Sequence, residues 1–98
     1  MSPCRLDMVA QVSNIYTLFR DQAQPVLDEY KTTKEASVFE NIGVAGLLAQ
    51  HMFLHQEVQE GRMQASETEA LIKDIEKMMV EELEQAPNEQ ESASSNSE

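Results

Sequence analysis

Residues Val38 to Val58 read Val-Phe-Glu-Asn-Ile-Gly-Val-Ala-Gly-Leu-Leu-Ala-Gln-His-Met-Phe-Leu-His-Gln-Glu-Val, and between Ile42 and Leu54 only Gln50 and His51 interrupt an apolar or glycine surface. A helix that is apolar on every side belongs inside a protein. The apolar run would span only about 20 Å as a helix, and Glu40 and Glu57 bracket it closely, so it is too short to cross a bilayer. The rest of the chain must therefore cover it.

Upstream, Met8, Val9, Val12, Ile15, Tyr16, Phe19 and Ala23 recur at spacings of mostly three and four, the stripe of an amphipathic helix. Pro25 removes a backbone donor and crowds the carbonyl of Asp21, yet Val26, Leu27 and Tyr30 continue the stripe in phase. Either one kinked helix runs over about 5–31, or the chain breaks at Gln24 and Pro25 opens a second helix; the unbroken phase favours the kink. Thr32 followed by Glu35 has the spacing of a capping box, which predicts a central helix over about 34–60. Gly43 and Gly46 lie inside that span, each costing nearly 1 kcal/mol of helix propensity. Either a neighbouring helix comes close at the flat patch of Gly46 and Ala49, flanked by Ile42 and Phe53, or the glycines are merely tolerated.

Downstream, Gly61 stands where a left-handed cap would end the central helix, and Arg62 to Ala65 form a short loop with Met63 turned inward. Ser66 with Glu69 is a second capping box, opening a helix over about 66–86 that carries Leu71, Ile72, Ile75, Met78, Met79 and Leu83 on one side and Asp74, Lys77, Glu81 and Glu84 on the other. So short a connection folds these two helices into an antiparallel hairpin. Pro87 stops the run, and residues 87–98 are polar, serine-rich and acidic, the composition of a disordered tail. The expected architecture is all-α: one three-helix domain over 1–86, with a kinked first helix, a buried central helix and a tail.

A core of about 85 residues buries only some 60 to 65% of its unfolded surface, which favours oligomerisation. The single cysteine, Cys4, allows no internal disulfide, and no basic run leads into an apolar segment at the start, so the composition points to the cytoplasm. Net charge is −11, and it is uneven. Residues 1–34 are neutral, whereas Glu67 to Ala86 set seven acids against Lys73 and Lys77. Such a surface repels phosphate, which argues against direct binding to nucleic acid.

His51 and His55 are the only histidines, spaced i, i+4 on one helical face as two zinc ligands would be. Met52, Phe53 and Leu54 fill the positions between them, leaving no glutamate to act as a general base. A structural role is favoured, with the imidazoles at a core edge or at a subunit contact and bonded to a backbone carbonyl or a carboxylate. Cys4 has no rigid element to fix a base beside it; Glu81, Glu82 and Glu84 read as a solvated helix end; Gly43-Val-Ala-Gly46 lies within the helix and is no phosphate loop. No set of residues supplies a nucleophile, a base and an orienting group together, so no enzyme, metal or cofactor is expected.

The remaining signal is apolar surface. Two flanking helices can each cover one side of the central helix, leaving a third side for a second copy in a homodimer or for another protein. Tyr16, Phe19, Met52, Phe53 and His55 are the candidate protein-binding residues on that face, with an acidic rim from the third helix. The function expected is a small acidic regulator acting through protein binding, an inhibitor or antiactivator of a transcription factor or other nucleic-acid-directed protein with a basic or apolar surface. The alternatives are a carboxylate mimic of nucleic acid and a structural or chaperone-like adaptor.

Overall fold

The computed structural model describes the backbone of residues 5–95 and the side chains of residues 8–85. Its elements are α1 (Arg5–Thr33), a single 3-10 turn (Ala36–Phe39), α2 (Val44–Gln59) and α3 (Ala65–Ser95), with no strand among the described residues. Among these residues no helix is long and apolar enough to cross a membrane.

α1 is continuous through Pro25, because a proline forfeits one hydrogen bond and the apolar stripe on either side of it keeps the helix bound to the core. Ile15, Ala23 and Leu27 of that stripe have no exposed surface. Thr32 does not open the next helix. It is still inside α1, where its hydroxyl donates to the Asp28 carbonyl at 3.2 Å, and the helix closes one residue beyond Thr33 with Lys34 at φ +63°. The Lys34 N–H donates to the Tyr30 carbonyl at 2.7 Å, and the Glu35 N–H to the Thr33 hydroxyl at 3.2 Å.

The central helix is correspondingly shorter than the 34–60 expected. Glu40 to Gly43 reverse the chain, with Asn41 at φ +66° and Gly43 at φ +63°, ψ −135°. Backbone of that kind strongly favours glycine at Gly43 and ends any helix running into it. Gly46, in contrast, is helical, and its missing side chain has a steric cause. A Cβ there would fall well inside contact distance of the Phe39 carbonyl oxygen and 2.9 Å from Ile42 Cγ1. The close approach foreseen at this residue is therefore made by the chain's own 3-10 turn and not by a neighbouring helix. Tyr30 holds the turn in place, its ring 4.8 Å from that of Phe39 and, edge to face, 5.1 Å from that of Phe53.

α1 crosses α2 steeply. Tyr16 reaches His51 while Tyr30 reaches Phe53, so contacts about 21 Å apart along α1 meet residues only about 3 Å apart along α2. Ala23, midway between the two tyrosines, is fully buried at the crossing. α2 and α3 instead run antiparallel: His51 pairs with Glu76 at one level, and Gly43 faces the Glu82 carboxylate two turns away. Gly61 makes the reversal. At φ +82° it donates its N–H to the Val58 carbonyl at 3.1 Å while the Arg62 N–H reaches the Glu57 carbonyl at 2.9 Å, the two bonds of a Schellman cap. The Arg62 guanidinium then clamps the Glu57 carboxylate through Nε at 2.8 Å and Nη2 at 2.7 Å.

α3 begins at Ala65 over the Gln64 carbonyl, which accepts the N–H groups of Glu67 and Thr68, so Ser66 lies inside the first turn and is not its cap. The sequence-based reading ends this helix at Ala86 and begins a disordered tail at Pro87, but the helical backbone continues through Pro87 to Ser95; residues 96–98 lie outside the described part, as does Cys4.

Together α1, the 3-10 turn and α3 cover most of α2. Val44, Gly46, Leu48, Ala49, His51, Met52 and Leu54 are buried, and only His55 and Gln59 of the helix are exposed. The 3-10 turn covers α2 at Gly46, while the side of α2 carrying His55 and Gln59 stays open. Exposed large apolar residues lie elsewhere, at Val9, Leu18, Ile42, Leu71 and Met78. Gly46→Ala will destabilise the fold by about 2 kcal/mol in urea unfolding, because overpacking against backbone outweighs the roughly 1 kcal/mol gain in helix propensity.

Candidate functional site

His51 is the buried polar centre of the molecule, with 3% of its surface exposed. Its Nδ1 lies 2.5 Å from the Tyr16 hydroxyl and its Nε2 lies 2.8 Å from Glu76 Oε2. A carboxylate only accepts, so Nε2 carries the proton and Nδ1 accepts from the tyrosine O–H. One side chain from each helix is thereby joined in a relay, α1 to α2 to α3. Burial holds the His51 pKa below its ordinary value, against the opposing pull of the Glu76 hydrogen bond and charge. Burial, with the Glu76 charge second, pushes Tyr16 up to about 12, so at neutral pH its hydroxyl is a donor and not a nucleophile.

Both His51 nitrogens are occupied within the fold. The His55 ring lies 4.8 Å from that of His51 but is exposed, and no group of three or more His, Cys, Asp or Glu able to hold a metal occurs among the described residues. The i, i+4 histidine pair therefore serves two separate ends. His51 locks the helices together, and His55 forms a ridge between two grooves.

One groove, of about 520 Å³, lies between α1 and α2 and is lined by Val9, Val12, Tyr16, Arg20, Met52, His55, Gln56, Gln59 and Glu76 among others. A second, of about 370 Å³, lies between α2 and α3, where Val58, Thr68, Glu69, Ile72 and Lys73 join His55 and Glu76. On the opposite face a third, of about 280 Å³, is walled by the 3-10 turn, α2 and α3: Ala36, Phe39, Glu40, Gln50, Phe53, Leu54, Leu71 and Ile75. Six of its eight lining residues are apolar, and it carries no lysine or arginine.

The five candidate residues are consequently divided. Tyr16, Met52 and His55 come together in the first groove, with Met52 6% exposed and Tyr16 engaged to His51. Phe53 lines the third groove on the other face, and Phe19 packs against the core. Sequence reasoning missed several exposed apolar residues, of which Leu71 lines the third groove. Leu71 is 49% exposed and Met78 44%, although both fall on the stripe assigned to the core, and Ile42 is 43% exposed in the loop before α2. Their signal lay in spacing: Leu71, Ile75 and Met78 are i, i+4 and i+7, a stripe one step off the axis of Ile72, Met79 and Leu83.

Comparison with protein-family models, curated proteins and solved structures finds no match to this chain.

Tyr16→Phe will cost about 1 to 3 kcal/mol in denaturant unfolding, since it leaves the buried Nδ1 of His51 without a donor. Because the folded chain holds His51 below the unfolded value near 6.5, the unfolded chain binds the extra proton first. Stability is therefore complete above about pH 6.5 and falls as pH drops toward the lowered folded value. Urea midpoints measured from about pH 7.5 to 5.5 will decline in the native chain and flatten in His51→Gln, whereas His55→Gln will retain the slope.

Proposed function

We propose that this chain is a small acidic regulatory protein that acts by binding another protein, an inhibitor or antiactivator directed at a transcription factor or other nucleic-acid-directed protein. The observation that carries this reading is the third groove. Exposed Leu71 and half-buried Phe39 and Phe53 stand above a floor of Leu54 and Ile75, and exposed Met78 continues the Leu71–Ile75 stripe by one further turn of α3. Aliphatic and aromatic residues exposed together in this way lower their free energy when another surface covers them.

The charge supplies direction. α3 carries the excess of carboxylates, and a chain of net charge −11 is steered toward basic surfaces, which proteins that handle nucleic acid present. Docking on the apolar groove accounts for the data better than carboxylate mimicry of nucleic acid. In a mimic the carboxylates would carry the affinity, whereas here Leu71 and Met78 lie among them with nearly half their surface exposed.

Affinity capture from native extract with the wild-type chain and with Leu71→Asp/Met78→Asp as paired baits tests the proposal. The wild type will retain a protein that the double variant loses, and adding the chain will weaken that protein's hold on its nucleic acid. Identical retention by both baits would remove the groove from the function, and a retained target unconnected with nucleic acid would remove the antiactivator role.

A further inference from the structure

We infer that the element seated in this groove is a basic amphipathic helix of the partner, an inference that rests on the docking role proposed above and specifies its chemistry. Three features define the occupant. The first is backbone satisfaction. The groove is walled by α2, α3 and one 3-10 turn, and among the described residues no strand offers a sheet edge to pair with an extended segment. A partner segment buried here has to satisfy its own N–H and C=O groups, and a helix does so.

The second feature is length. Leu71, Ile75 and Met78 mark about 10 Å along α3, and Glu82 beside Gly43 extends the face to about 16 Å, the length of about three helical turns. A stripe with apolar residues at i, i+3 or i+4, and i+7 would cover it.

The third is charge. Glu40 lines the groove, Asp74 lies on α3 between Leu71 and Met78, and Glu82 stands beside Gly43 one turn beyond Met78; all three are exposed. Lys73 faces the opposite groove beside His55 and pairs with Glu69 at 3.2 Å. The flanks of the partner helix therefore carry Lys or Arg. A second copy fits poorly, because symmetric pairing of this face would set each acidic border against its own image.

The test titrates the full chain into a labelled model peptide of about 18 residues, leucine and lysine arranged for a helix with one apolar stripe, at roughly 150 mM salt, and follows fluorescence anisotropy. The same residues in scrambled order and the same pattern with glutamate for lysine are the controls. Both controls will bind at least about tenfold more weakly, Leu71→Asp will weaken the leucine–lysine peptide by a similar factor, and Asp74→Lys/Glu82→Lys will weaken it several-fold. Leu18→Asp, at an exposed site on α1 that lines none of the three grooves, will leave binding unchanged and far-ultraviolet circular dichroism will show every variant folded. Equal binding of the scrambled or glutamate peptide, or indifference to Leu71→Asp, overturns the inference. Sedimentation showing a wild-type dimer that Leu71→Asp dissociates would assign the face to a second copy and overturn it as well. If the peptide fails while the paired baits still differ, the basic helix is wrong and the docking groove stands.

Discussion

The Phe39 carbonyl rests directly on the backbone of α2 at Gly46, and the arrangement of the remaining surfaces follows from that contact. A side chain at residue 46 would push the 3-10 turn outward and expose α2 between α1 and α3. With glycine there, the turn closes over the helix at this point, Tyr30 packs against Phe39 and Phe53, and most of the apolar surface of α2 is buried inside one chain. Small domains have little core to spare. With α2 given largely to that core, the exposed large apolar residues belong to other elements, and Leu71 of α3 lines a groove.

The relay through His51 performs a different task. Hydrophobic burial is non-directional and would tolerate some sliding of α1 and α3 over α2. A buried imidazole tolerates much less, because moving either neighbour leaves a donor or acceptor unsatisfied. Tyr16 and Glu76 fix the steep crossing on one side and the hairpin register on the other at a single residue. Glu76 remains partly exposed, so the relay ends at solvent, near the ridge formed by His55.

Much of the fold was legible because periodicity and one cap carry most of the information. Most of the α1 stripe, the turn at Gly61 and the Ile72, Ile75, Met79 and Leu83 part of the apolar side of α3 need only local rules, and the structure follows them there. The segment from Thr32 to Gly43 was not legible. Thr32 and Glu35 have capping-box spacing, but the hydroxyl of Thr32 returns to Asp28 inside α1, and the apolar character of Val38, Phe39 and Ile42 is the same whether they form a helix or a covering turn. The positive φ of Asn41 and Gly43 decides the matter, and a glycine in the sequence does not reveal the sign of its φ. The site was less legible still. His51 and His55 look equivalent as letters four apart, yet one is sealed between two partners and the other is bare, because α1 crosses over only one of them. Leu71 and Met78 look like core for a similar reason: a helix stripe fixes which residues share a side, while the angle at which α3 lies on α2 fixes how much of that side is covered.

That angle also explains why the exposed strip does not simply disappear into the core. Turning α3 to bury Leu71 and Met78 would carry Glu76 away from His51 and leave the buried Nε2–H without its acceptor, at a cost of about 1 to 3 kcal/mol. Burying the two side chains would return a comparable amount, since each is already half covered and each fully buried apolar side chain contributes about 1.5 to 3 kcal/mol. With those terms so close, rotation offers little gain, and the relay geometry keeps the strip at the surface. A partner bringing apolar contacts and opposite charge removes the exposure without disturbing the relay.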